Sequence, residues 1–397
     1  MIRFGLFPRL CLGFAALLSV TAFASPEPYR ISDFRWVVAP SSSFGEKLAP
    51  AGIPIESSNN TVSITLFQGK LFMAWRSAPT HFASSKTVMY VASSSDFGVS
   101  WEKETELKMD TDIREPFFLE LGGKLFFYCF QAGDKALQFT PRHTMRIERL
   151  AQGKWTEPMV LGRPGEIAWD YKIRDGVAYR TSYAGSHYSV KPGEVDVYFT
   201  RSTDGVIWTP VGKPVVYTGG VSETSFEFDL KGDLYASTRN EDGDESGWGS
   251  HFVSAPAASP GDWQFPAKSY AERYDSPRMF RHKGELYLIA RRDVGGPFDR
   301  GMRWLPFNVQ RWLYLGEYSA RPKRTSLYYV NREERRFDWM EDLPSAGDNA
   351  FPSVIQLSEN RFLIANYSSP LQRDGWTWIQ GQTSREGTGI YWVELNF

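Results

Sequence analysis

One arrangement of apolar and polar positions recurs along the chain: a polar residue, a short strand, a turn, then a second and more continuously apolar strand. The copies read NTVSITLFQGKLFMAWR, REPFFLELGGKLFFYCF, EIAWDYKIRDGVAYRTS, ETSFEFDLKGDLYASTR, DSPRMFRHKGELYLIAR and NAFPSVIQLSENRFLIANY. Taking the first apolar residue after each turn as anchor gives Leu71, Leu125, Val177, Leu234, Leu286 and Phe362, spaced by 54, 52, 57, 52 and 76 residues. A near-constant period with one enlarged unit predicts a ring of similar blades. Tryptophans give a second count. Trp101, Trp155, Trp208, Trp263 and Trp339 each follow a unit's third strand, and Trp36 stands alone near the start. The last unit ends at Phe397 with room for three strands, so the strand around Trp36 is expected to supply its fourth and remove the free edges. The length of 397 residues is compatible with two or three domains. The repeat overrides that prior and predicts an all-β chain, one six-bladed β-propeller over residues 25–397.

Residues 1–24 differ from the rest. Arg3 and Arg9, an apolar run from Leu10 to Val20 and then Ala22-Phe23-Ala24 make the pattern of a secretory signal, with cleavage expected after Ala24. The run is too short to span a bilayer. A secreted or periplasmic protein is therefore expected, with no membrane span. Its loss takes two arginines and moves the formal charge from −1 to −3, which argues against nucleic acid as a partner. Only Cys129 survives, so no internal disulfide can form, and stability falls to a core drawn from 14 Trp, 19 Tyr and 28 Phe. A monomer is expected.

In a propeller, the start of each inner strand and the end of the next strand meet at one central depression. Counting back from the anchors gives Asn60, Arg114, Glu166, Glu223, Asp275 and Asp348 or Asn349; counting forward gives Arg76, Phe130, Ser182, Arg239, Arg291 and Tyr367. Guanidinium forks at Arg76, Arg239 and Arg291 fit a carboxylate or sulfate, and Glu223 with Asp275 fit acid and base work. The competing reading is that these charges merely neutralise one another and tie blades together.

SSDFGVSW at Ser94–Trp101 matches the Asp-box S-x-D-x-G-x-x-W, and Ser202-Thr-Asp-Gly-Val-Ile-Trp208 is a shortened second copy. With the blade repeat, these boxes make the chain resemble the sialidase-like six-bladed propellers over nearly all of its mature length. The resemblance implies that the boxes are structural turns away from the substrate. It also implies that Glu223 and Arg239 are the glutamate and the carboxylate-binding arginine of the fourth blade. Departures are plain: Asn59-Asn60-Thr61 stands where an Arg-Ile-Pro triplet belongs, and Arg114-Glu115-Pro116 lies one blade later. His81 stands where the acid/base aspartate belongs, and Phe351 where the nucleophilic tyrosine belongs.

The expected activity is glycoside hydrolysis of an anionic glycan, exo-sialidase-like, with Glu223, Asp275, Tyr367 and His81 as catalytic candidates. Arg76, Arg114, Arg239, Arg291 and Asp348 are the binding candidates. One alternative is a polysaccharide lyase acting on a uronate polymer, using His81, Tyr183 or Tyr367, and Arg239. Another is a carbohydrate-binding propeller without chemistry. The enlarged fifth blade, Val294 to Lys323, carries Phe298, Trp304, Phe307, Trp312, Tyr314 and Tyr318, which would either stack on sugars or pack the insertion onto the rim. Trp248, Trp376 and Trp378 come from equivalent loops. No cofactor or metal is expected: His81, His143, His187, His251 and His282 lack zinc spacing, and Asp242, Asp244 and Glu245 read as a solvated acidic tip.

Overall fold

The computed structural model describes residues 26–136, 138–187 and 194–397; the expected signal segment and its cleavage point lie outside them. Six antiparallel sheets follow one another along the chain, each ordered from the first strand outward. Their innermost strands are Ser58–Phe67, Ile113–Leu121, Ile167–Arg174, Val221–Phe228, Asp275–His282 and Ser353–Ser358. Each is followed by the anchor strand of the repeat, Lys70–Ala78 in the first blade and Arg361–Ser368 in the last. The chain is a six-bladed β-propeller. Arg30–Val38 pairs antiparallel with Gly389–Asn396 as the outermost strand of the sixth sheet, with Trp36 opposite Tyr391. The fourth blade departs from the four-strand pattern. It has three strands, and a lone bridge between Ser254 and Gln264 stands in place of the fourth.

Aromatic and branched residues of neighbouring sheets interlock between the blades, for example Phe72 with Phe118 and Phe280 with Phe362. Nearer the axis the blades are joined by hydrogen bonds. Serines on the inner strands accept backbone N–H groups of a neighbour: Ser63 from Phe118 at 3.2 Å, Ser225 from Met279 at 2.8 Å and Ser353 from Ile64 at 3.0 Å. Asp170 ties three blades, accepting from Ser225 and from Arg278 while Arg278 also donates to Pro352 O. A buried carboxylate needs such partners, because desolvating it alone would be prohibitive.

The segments 94–101 and 202–208 close turns between the third strand of a blade and its edge. In the first, Ser94 Oγ accepts from Gly98 N at 2.7 Å and Asp96 accepts from Ser100 N at 2.8 Å; Gly98 holds φ of 82° with Trp392 close behind it. In the second, Asp204 accepts from Val206 N and Ile207 N, and Trp208 packs on Tyr171. These turns lie at the ends of the strands opposite to those where the inner strands begin.

At the start of every inner strand the pairing register slips. Asn60 pairs with Arg76 and Val62 with Trp75, leaving Thr61 without a partner. The same break follows Arg114, Ala168, Val221 and Asp275, and the sixth blade spans Asn349 to Ser353 against one residue fewer between Ala365 and Ser368. These are β-bulges, which re-aim a side chain that the regular pleat would point elsewhere. Four non-glycine residues there hold positive φ: Thr61 at 43°, Glu115 at 51°, Ser276 at 48° and Ala350 at 75°.

Candidate functional site

The bulges build the central cavity, a depression of about 510 Å³. Each inner strand contributes a residue from its break: Thr61, Glu115, Trp169, Glu223, Ser276 and Phe351. Arg114, Arg239, Arg291 and Tyr367 line it, as do His81 from a loop and Trp378 from the short helix Trp378–Thr383. Trp169 and Phe351 meet at 5.3 Å, edge to face, as an apolar patch within this polar ring.

Six of the nine expected site residues therefore face the cavity: Glu223, Tyr367, His81, Arg114, Arg239 and Arg291. Arg76, Asp275 and Asp348 do not, and their side chains are fully buried behind it. The physical reason is the bulge. In the first and fifth blades it carries the next residue, Thr61 or Ser276, to the centre and leaves the paired residues Arg76 and Asp275 in the wall. Arg76 spends its donors on Asp112 at 2.8 Å, on Asn60 and on the carbonyls of Thr80 and Phe82. Glu166, a carboxylate also considered, is turned away and receives Arg180 at 2.8 Å and Ser182 at 2.7 Å.

Two buried networks support the cavity. In one, Asp275 is gripped by Arg273 at 2.8 Å and Arg239 at 3.3 Å, with Arg291 at 3.8 Å. Burial alone would raise this carboxyl, but the three guanidinium groups hold it below the usual carboxylate range. Arg273 in turn lies over the rings of Tyr318 at 3.7 Å and Phe298 at 4.0 Å. Glu223 accepts from Arg239 at 2.6 Å and from Ser276 N at 2.7 Å; burial nonetheless raises its pKa, against Arg239 and with the help of Asp275.

In the other network Asp348 is the hub. Its Oδ2 lies 2.7 Å from His81 Nδ1, and its Oδ1 accepts from Tyr367 Oη and Trp378 Nε1, each at 3.1 Å. Burial lowers the pKa of His81 despite Asp348, so the imidazole is neutral near pH 7. A carboxylate only accepts, which puts the imidazole proton on Nδ1 and leaves Nε2 a lone pair. Burial also raises the Tyr367 phenol well above its ordinary value, so it stays protonated.

Glu115 was not among the expected site residues. Burial pushes its carboxyl up to about 7, with Glu223 and Asp112 adding to the shift and Arg114 opposing it. Its Oε2 is buried on the cavity wall with no hydrogen-bond partner among the described residues. Next to it, Arg114 binds Asp112 and donates to His81 O at 2.5 Å, fastening the His81 loop to the second blade. The signal that marks Glu115 is the proline after it. Pro116, Pro277 and Pro352 each follow a cavity residue, and proline without an N–H fits a strand only where the ladder skips.

The aromatic insertion packs mainly onto the rim. Its helix Phe307–Ser319 buries Tyr314 and Tyr318 with Phe298 and Trp248, and Trp248 stacks on Phe307 at 4.7 Å. Only part of the acidic tip is solvated: Glu245 is exposed, whereas Asp242 pairs with His187 and Arg311, and Asp244 accepts from Tyr217 at 2.8 Å. Among the described residues no group of three or more His, Cys, Asp or Glu is placed to hold a metal ion. None of their helices is long and apolar enough to cross a membrane.

No protein-family model and no curated protein matches this chain. Solved structures do. A protein of unknown function from Dyadobacter fermentans superposes with a TM-score of 0.61 at 15% identity, over 93% of this chain and 99% of that one. Trypanosoma rangeli sialidase superposes with 0.56 at 11% identity, over 94% of this chain and 60% of its own length. The fold is that of the sialidase-like six-bladed propellers. A further member of this structural neighbourhood is the α-L-arabinanase of Penicillium chrysogenum complexed with arabinobiose, with a TM-score of 0.51 at 11% identity over 91% of this chain and 98% of that one. Phe351 lines the cavity, and its ring packs against Trp169.

Proposed function

We propose that the central cavity hydrolyses a glycosidic bond of an anionic glycan by direct attack of water. Support comes first from Glu115, a cavity-facing carboxyl with an unpartnered buried oxygen and a pKa near 7. A group so poised is an acid at neutral pH and can give its proton to the departing glycosidic oxygen. His81 is the base. Neutral, and oriented by Asp348 through Nδ1, it presents Nε2 to a water whose proton it takes as that water adds to the anomeric carbon. Arg114, Arg239 and Arg291 supply positive charge for the substrate's carboxylate or sulfate. Phe351 cannot act as nucleophile and Tyr367 is held protonated, so a single displacement with inversion is favoured over a covalent intermediate.

A lyase reading draws on the His81–Asp348–Tyr367 network, which places a base and a phenolic acid on one carboxylate. Mass spectrometry of products from uronate polymers, sialosides and sulfated oligosaccharides separates the readings. Fragments heavier by one water are expected, with an inverted anomer in the proton NMR spectrum of the fresh product. Unsaturated products without added water would overturn hydrolysis in favour of elimination, and no product from any substrate would overturn both.

A further inference from the structure

The insertion helix Phe307–Ser319 has two unlike faces. Gln310, Arg311, Tyr314 and Tyr318 are buried. On the opposite face Asn308, Trp312 and Gly316 are exposed, and Ser319 lines the central cavity. Residues seven apart on a helix share a face, so Trp312 and Ser319 lie on one line, about 10 Å apart along the axis. The Trp312 side chain is 75% exposed, whereas Phe298, Tyr314 and Tyr318 of the same insertion are 1–3% exposed.

Gly316 falls between them. It lies near the middle of the last two turns, where glycine weakens a helix relative to alanine. A Cβ built on it would meet nothing within 4 Å, so no neighbouring group of the fold excludes a side chain there. On the line from the exposed Trp312 to the cavity-lining Ser319, Gly316 therefore puts no side chain in the way. Ile379 and Gln382 of the short helix Trp378–Thr383 border that mouth, and Trp378 holds the two helices together through Tyr318 at 5.3 Å.

We infer that this shelf is a distal subsite: the substrate is an extended glycan whose reacting sugar sits in the cavity while a further unit stacks on Trp312. The inference rests on the proposed glycan chemistry of the cavity and adds the length of the substrate to it. An indole gives an apolar platform for the C–H face of a sugar ring, and Asn308 and Ser319 offer polar groups on the same line. Continuity with the cavity selects a chain-like ligand over a second protein copy, which would need no path into the mouth.

The test is native electrophoresis of the whole protein through gels containing polygalacturonate, chondroitin sulfate or polysialate, with dextran as neutral control. One of the anionic polymers is expected to retard the wild type. Trp312→Ala is expected to weaken that retardation about tenfold, the scale of one lost ring contact. Gly316→Leu is expected to weaken it as well while melting no lower than the wild type, which separates an obstructed shelf from a damaged fold. Turnover of small chromogenic uronides or sialosides should be unchanged in both. Retardation equal in wild type and Trp312→Ala, or absent for every polymer, would overturn the subsite; turnover of small glycosides would then leave the cavity proposal standing. Conversely, Trp312-dependent retardation without any product would keep the shelf and remove the chemistry. Sedimentation in which Trp312→Ala splits a dimer would reassign this face to contact between copies.

Discussion

His81 and Tyr367 never need to touch in order to be coupled, because they hold opposite oxygens of one carboxylate: His81 Nδ1 at 2.7 Å from Asp348 Oδ2, and Tyr367 Oη at 3.1 Å from Asp348 Oδ1. Trp378 makes the second donor to Oδ1. Replacing Asp348 by Asn keeps the shape but puts an amide donor against at least one of these donors. We expect a loss of about 1–3 kcal/mol in a denaturant titration, the cost of a buried group left unsatisfied. Turnover should fall by about a hundredfold or more, because His81 loses the partner that fixes its proton on Nδ1. Unchanged turnover in Asp348→Asn would remove His81 from the chemistry.

Glu115 gives a pH dependence of known sign. Its folded pKa is raised from 4.5 to about 7, so its contribution to stability is fully present below 4.5 and is lost as pH rises through about 7. Glu115→Gln should therefore flatten the decline in stability between those limits, measured by thermal melts across buffers. The same variant should lose most turnover and the alkaline limb of the pH–rate profile near 7. A limb that survives the substitution would belong to another group.

Asp275 has the opposite sign. Its pKa is depressed by Arg273, Arg239 and Arg291 against the effect of burial, so its contribution is present above the unfolded carboxyl value and fades as pH falls through the folded one. Removing a cation from this buried cluster leaves charge without compensation. Arg273→Met should cost about 3–5 kcal/mol, read from the shift in unfolding midpoint. A cost within experimental scatter would mean that the cluster relaxes by admitting water.

Thr61 is a β-branched residue held at φ of 43°, a conformation that costs an L-residue about 1–2 kcal/mol. Its hydroxyl makes no hydrogen bond among the described residues. Thr61→Gly should thus stabilise the protein by about 1 kcal/mol in spite of glycine's greater freedom when unfolded. A destabilised variant would show that the Thr61 side chain contributes packing that outweighs its backbone strain.

The blades were legible because their signal is repeated and rests on hydrophobic burial: anchors such as Leu71 and Leu286 sit in the sheet core at 0–1% exposure, as the period requires. Trp101, Trp155 and Trp208 were legible for the same reason. The cavity was harder to read. Counting along a regular pleat reached Asn60, Asp275 and Asp348, each one or more positions short of the residue that faces the centre, since a bulge adds a residue without changing composition. Glu223 was found because it already lies inside its blade's break. Glu115 was missed beside Arg114, although Pro116 marked the break. The insertion's aromatics defeated prediction differently: burial of Tyr314 and exposure of Trp312 depend on helical phase, which a count of aromatic residues does not contain.

The register breaks also bear on how such a protein can change its work. At Thr61 and Trp169 the side chain points inward from a residue without a cross-strand partner, whereas Glu223 at its own break is bound to Arg239 and to Ser276 N. The ladder on either side of Thr61 and Trp169 closes without them. Positions such as these can therefore be exchanged while the serine and aspartate links between blades stay intact. The ring behaves as a fixed mount with interchangeable tips, and a chain can part company with its relatives in chemistry long before it does so in shape.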